Sequence, residues 1–132
     1  MSKDNEEKTI FKHKKSQSPG KSDIFNLKRG NIICLEFDPQ TGKEMKGWHP
    51  ALVLSPASYN KRSSLVIICP ITSKVKGWPW EVLIPGGLPI SGAILVDQIK
   101  SLDIKMRRRY ECDLPSETVE EVLGKIETLL LS

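Results

Sequence analysis

A chain of 132 residues, 39% hydrophobic and 27% charged, has room for one domain with a single core. Its apolar runs fall short of the roughly 20 residues a membrane helix needs, and its lysine-rich start holds no apolar stretch of the signal-peptide kind. The net charge of +4 is unevenly placed: residues 1–29 hold eight basic and four acidic residues, leaving twelve of each elsewhere. Any affinity of that neutral part for polyanions must come from local arrangement.

The three cysteines, Cys34, Cys69 and Cys112, are an odd number, and two of them lie inside apolar runs. This suits a reducing cytosol better than a disulfide framework. Cys34 and Cys69 are expected to be buried or half-buried strand residues. No Cys-x-x-Cys or His-Cys cluster suggests a structural zinc.

Taken in chain order, residues 1–27 alternate charges and serines with little periodic hydrophobicity, which predicts a flexible basic extension. "NIICLEF" (31–37) reads as a strand, with Ile33, Leu35 and Phe37 on one face and Ile32, Cys34 and Glu36 on the other. "DPQTGKEMKG" (38–47) is a loop rich in turn residues, extended by Trp48, His49 and Pro50. "ALVLSP" (51–56) is a buried strand ended by Pro56, and "ASYNKRSS" is a helical turn or loop.

"LVIICPIT" (65–72) is a third strand, "WEVLIP" (80–85) a short fourth, and "SGAILVDQIKSLD" (91–103) an apolar strand that grows polar at Asp97. Short strands separated by turn signals predict a small β-barrel or sandwich. The last segment changes period. Val119, Val122, Leu123, Ile126, Leu129 and Leu130 recur at steps of three and four, one stripe of a helix starting near Pro115. Strands so apolar on consecutive residues need cover on both faces, more than one helix supplies, which points to dimerisation.

The run "RGNIICLEFDPQTGKEMKGWHPALVLSPASYN", then "CPITSKVKGWPWEV", then "SGAILVDQIKSLD" resembles the MazF/PemK family of toxin–antitoxin ribonucleases. The resemblance covers about residues 29–131 and makes residues 28–132 one toxin domain. It implies an SH3-like β-barrel with a C-terminal helix, acting as a homodimer. It implies a metal-independent endoribonuclease that cuts single-stranded mRNA at a short sequence by 2′-OH attack. A cognate antitoxin would lay an acidic segment across the RNA groove.

The family's catalytic threonine is matched by Thr72 in "PITS", and the family motif Gly-x-Arg-Pro is here "GWHP", with His49 in the arginine's place. Asp97 matches an aspartate of the PemK-like branch, whose companion arginine is replaced by Leu95. Breaking RNA at a 2′-OH takes a base, a donor or cation for the charged phosphorane, and an acid for the leaving oxygen. Arginine serves only the second need well, whereas an imidazole, as a residue type that titrates near neutrality, can serve any of them.

Accordingly His49 is the candidate base or acid and Thr72 the hydrogen-bond donor to the scissile phosphate, with Lys46 or Lys74 as the fixed positive charge. The ordinary alternatives are a loop histidine in a catalytically silent RNA- or antitoxin-binding protein and a strand-end threonine. Glu44 and Asp97 are candidate substrate contacts, each with a structural alternative. Trp48 and Trp78, in loops beside Lys46, Ser73, Lys74 and Lys76, offer base-stacking faces among cations. Trp80 alternates with Val82 and Ile84 and fits the core.

"KSLDIKMRRRY" (100–110) is the densest basic cluster of the domain; a solvated face is its default reading, and Arg107 and Arg108 are its candidate phosphate contacts. Glu36, Asp38, Glu44 and Asp97 form no recognisable Mg²⁺ motif, so no metal or other cofactor is expected. A gyrase-poisoning relative on the same barrel is the third reading. The lack of any aromatic after Tyr110 speaks against it.

Overall fold

A computed structural model describes residues 26–37, 47–103 and 105–132. In chain order it has β1 (Asn31–Phe37), β2 (Gly47–Val53), α1 (Ala57–Ser63), β3 (Leu65–Thr72), β4 (Glu81–Leu83), β5 (Ala93–Leu95), β6 (Lys100–Asp103), β7 (Arg108–Asp113) and α2 (Ser116–Leu131). The strands pair antiparallel in the order β4-β5-β3-β2-β1-β7, and β6 also pairs with β3. β3 is the hub: its start pairs with β6 (Leu65 to Ile68) and its end with β5 (Ile71 and Thr72). The path has two ends, so among the described residues the ladders do not close the barrel. A mainly antiparallel β fold with a C-terminal helix is what the strand spacing and the helical stripe predicted.

Two apolar clusters lie on opposite faces of the central strands. Ile32, Leu52, Cys69 and Ile71 join Val82, Ile94 and Val96, and are capped by Val119 and Val122 of α2. Ile33, Leu35, Ala51, Val53, Val66 and Ile68 face the other way with Leu27, and Leu102 and Met106 pack on them. The strict alternation of neighbours along β1, β2 and β3 is the period-2 geometry of a strand. Both faces are thus covered within one chain, so apolar strands alone give no argument for dimerisation. The most exposed large apolar residues among those described are Leu83 and, at the end of α2, Leu130 and Leu131, at 62%, 72% and 76%.

Several boundaries differ from expectation. β2 begins four residues early, so Trp48, His49 and Pro50 stand in a strand paired with Glu36, Leu35 and Cys34 rather than in a loop. The "ASYNKRS" segment is a full α1. The predicted strand 91–103 breaks at Asp97, where a 3-10 turn (Val96–Gln98) separates β5 from β6. The basic cluster folds into β6 and the start of β7, a strand whose charged residues hid it from hydropathy. Cys34 and Cys69 are buried strand residues, as expected.

At the end of the sheet nearest α1 a buried polar knot joins three segments. Ser55 Oγ donates to Asn60 Oδ1 (2.5 Å), and Ile67 N donates to Ser55 Oγ (2.9 Å). Asn60 Nδ2 donates to Leu27 O (2.7 Å), which ties the chain entering β1 to the core. Leu27, placed by sequence in the extension, is therefore buried with the domain. Residues 1–25 lie outside the described residues.

Candidate active site and nucleic-acid interface

The β2–β3 ladder runs through Val53↔Ile68 and Leu52↔Cys69 and stops at Ala51↔Pro70. β1–β2 pairing continues undisturbed to Phe37↔Gly47. Leu54 N donates to Ile67 O, and the same alternation, after Leu52, would next call on Pro50, which has no N–H to donate to β3, so the ladder ends there. Beyond that point the two strands form a fork, and its prongs carry His49 and Thr72. The same register, continued two residues, sets His49 across from Thr72.

The row extends the other way as well. Leu35 pairs with His49 on one side and with Arg108 of β7 on the other. Directly opposed residues share a face, so Arg108, Leu35, His49 and Thr72 make one line across four strands. All four are on the face of Ala51, Val53 and Ile68. Leu35 is only 1% exposed and forms the floor, while Arg108, His49 and Thr72 are half-buried.

Thr72 is held in place from two directions. Its Oγ1 accepts the Lys74 backbone N–H at 3.0 Å. Behind it, Gly92 (φ +128°) comes so close that an added Cβ would collide with the Thr72 carbonyl oxygen and sit 3.0 Å from its carbonyl carbon. Thr72 pairs with Ala93 immediately after that glycine. Only a residue without a side chain allows this approach.

From Thr72 the chain enters the loop Ser73–Trp80, where Ser73, Lys74, Lys76 and Trp78 are exposed. Glu81 organises it: its carboxylate accepts from Gly77 N (2.9 Å) and Lys76 N (3.1 Å). Lys125 of α2 donates to Pro79 O at 2.6 Å. Lys76 Nζ lies 5.5 Å from the Trp78 ring centroid, and Trp78 is 54% exposed. The result is an aromatic face beside cations on an anchored loop.

Residues 28–130 match the family described as "PemK-like, MazF-like toxin of type II toxin-antitoxin system". The chain belongs to this family. It is 40% identical over 102 residues to the endoribonuclease toxin MazF of Escherichia coli K12, covering 76% of this chain and 91% of that one. It is 32% identical to the endoribonuclease PemK of Escherichia coli over 110 residues, 80% of this chain and 83% of that one. In structure it resembles MazF of the Deinococcus radiodurans MazE–MazF complex, with a TM-score of 0.74 and 42% identity over 81% of this chain and 98% of that one.

Within this MazF-like toxin the remaining candidate residues are dispersed. Trp48 alternates away from His49, so it stands on the opposite face rather than in a loop. There Arg107 and Arg109 approach its ring at 5.4 and 5.3 Å, and Arg107 pairs with Glu36 at 3.0 Å. Asp97, expected inside a strand, is exposed in the 3-10 turn. The Cys69 thiol is pushed up to about 12, first by burial and then by the charge of Asp97. Glu44 and Lys46 lie outside the described residues.

Tyr110, two residues beyond Arg108, is held up at about 12 by burial and by its hydrogen bond to Asp113, and stays a phenol near neutrality. Gly92, Glu81 and Lys125 were not singled out from sequence. Nothing in local pattern marks them, because each acts through a segment remote in the chain. Among the described residues no group of three or more His, Cys, Asp or Glu could hold a metal ion. No helix among them is long and apolar enough to cross a membrane.

Proposed function

We propose that this chain is the endoribonuclease toxin of a type II toxin–antitoxin pair, cutting single-stranded RNA at a short sequence in the cytoplasm. The observation that carries the reading is the fork beyond Ala51↔Pro70, which brings the imidazole of His49 and the hydroxyl of Thr72 to one face of the sheet. Neutral His49 takes the proton of a 2′-OH, and that oxygen bonds to the adjacent phosphorus. Thr72, whose oxygen already accepts from Lys74 N, keeps its proton for a phosphate oxygen. The bond to the 5′-oxygen breaks and that oxygen takes back a proton, giving a 2′,3′-cyclic phosphate and a 5′-hydroxyl.

Trp78 with Lys74 and Lys76 holds the strand leaving the site by stacking and charge. Ser73 is an outer contact on the same loop, whereas Arg107 and Trp48, across the sheet, and Asp97, in the 3-10 turn, lie off this face; Glu44 and Lys46 lie outside the described residues. The exposed end of α2 and Leu83 suit a second copy in a homodimer. A cognate antitoxin binds over the cations of the groove; the related Deinococcus MazF was crystallised with MazE.

The test is cut-site mapping on a long single-stranded RNA in EDTA, with wild type, His49→Ala and Thr72→Ala. Wild type cuts at one short sequence. His49→Ala loses about 10²–10⁴-fold. Thr72→Ala loses about 10²–10³-fold, the cost of one oxyanion donor. Wild-type rates in His49→Ala would remove the histidine from the mechanism, and RNA bound but uncut by wild type would make the chain a silent binding protein.

A further inference from the structure

We propose that Arg108 is the catalytic cation of this site, reaching from β7 along the Leu35 row to contact the scissile phosphate opposite His49. The inference rests on the ribonuclease reading above and assigns the one service that His49 and Thr72 leave open. A base must be neutral to accept a proton, so His49 cannot at that moment offset the growing charge on the phosphorane. Thr72 donates one hydrogen bond and carries no charge. The reaction therefore needs a permanent cation on the same face.

Three observations select Arg108. It opposes Leu35, and Leu35 opposes His49, so all three point to one face. Adjacent strands lie ~4.8 Å apart, which puts the Arg108 and His49 backbones about 10 Å apart across an apolar floor. Side chains reaching inward from both sides would bridge that gap around a phosphate group. The guanidinium is also directed, because Arg108 Nη1 donates to the Met106 carbonyl (3.1 Å), and Met106 packs on the same cluster as Leu35. A fixed fork of donors outperforms a swinging ammonium in stabilising developing charge.

Other cations near the site are placed less well: Lys100 shares the face through its pairing with Ile68 but lies four residues back along β3 from Thr72. Lys74 and Lys76 are exposed on the loop beyond Thr72, with Lys76 over Trp78. Arg107 and Arg109 stack on Trp48, across the sheet from the row.

The experiment is single-turnover cleavage by wild type, Arg108→Ala and Arg108→Lys, with Arg62→Gln on the exposed surface of α1 as the charge-loss control. Arg108→Ala is expected to cut about 10²-fold more slowly at saturating RNA, with KM changed only a few-fold and the pH profile kept. Millimolar guanidinium restores part of the rate, and tetramethylammonium at equal ionic strength does not. Arg108→Lys keeps the charge without the fork and loses about tenfold; it carries the test should the alanine variant melt below the assay temperature. An unchanged rate, or a higher KM with kcat unchanged, overturns the assignment and leaves Arg108 a general phosphate grip.

If wild type cuts no RNA, the ribonuclease reading is what fails, and Arg108 is then judged by binding of a 2′-O-methyl oligoribonucleotide. Arg108→Ala should weaken that binding and lower its salt dependence by about one phosphate contact. Binding identical to wild type overturns the placement of Arg108 in the groove.

Discussion

The two halves of β2 share one partner strand and differ in the other. Ala51 and Leu52 pair with both β1 and β3, Val53 pairs with β3, and all three are fully buried, whereas Gly47–Pro50 pair with β1 alone and are exposed or half-buried. One strand is therefore scaffold for three residues and site for four, and the change falls at a proline. A ladder hydrogen bond that is not made leaves backbone and side chains free to meet a ligand, yet the paired half next door keeps them rigid. This is how a small fold offers reactive groups without giving up a continuous core. The same division runs through β3, where Ile68 is core and Thr72 is site.

The contrast can be broken first at Gly92. If the open end needs its present geometry, Gly92→Ala should lower kcat about 10²-fold by shifting the Thr72 backbone, the cost of a misplacement near 1 Å. Gly87 supplies the control: its φ is also positive (+94°) but nothing lies within 4 Å of an added Cβ. Gly87→Ala should lose about 1 kcal/mol of stability from the same left-handed strain, with kcat intact. Activity losses that simply follow Tm in both variants would make Gly92 a folding residue only.

The paired end predicts the reverse outcome. Asn60→Ala leaves the Leu27 carbonyl and Ser55 short of partners in a buried knot, which should cost about 2 kcal/mol. For a domain of this size that is roughly 10 °C in Tm. Cleavage per folded molecule, measured well below the melting range, should not change. A variant that lost kcat while keeping Tm would show that the two ends are coupled and the division drawn at Pro50 is wrong.

How far the sequence could be read follows the same line. Period-2 alternation in "NIICLEF", the β-branched run of β3 and the helical stripe of α2 are local signals of burial, and each marked its element. "GWHP" defeated that reading because Gly, Pro and two polar-edged rings look like a loop. It is a strand because Glu36, Leu35 and Cys34 pair with it, and partners far apart in sequence do not show in a window. β7 was missed for a related reason: "RRRY" carries charge where a strand is expected to carry apolar residues. Thr72 and His49 were legible as a pair only through the resemblance to MazF-like toxins. The row that joins them to Arg108 depends on the register of β7 and on the bulge that shifts pairing between Ile32 and Ile33.

The finest test concerns the loop after Thr72, which belongs to the open end but is anchored as if it were scaffold. Glu81 accepts two backbone N–H bonds from it, and Lys125 holds it through Pro79. In Glu81→Gln one amide oxygen remains to accept, so the bonds survive without charge assistance and weaken by about 1 kcal/mol. Thr72 is fixed separately by β5 and Gly92, so the chemistry should stand while the Lys76–Trp78 face loosens. The expected result is a KM for RNA raised a few-fold with kcat unchanged, and a matching effect in Lys125→Ala, which frees the loop from its other side. If Glu81→Gln instead lowered kcat with KM constant, the loop and Thr72 would form one unit, and the fork would have to be redrawn to include everything from Pro70 to Glu81.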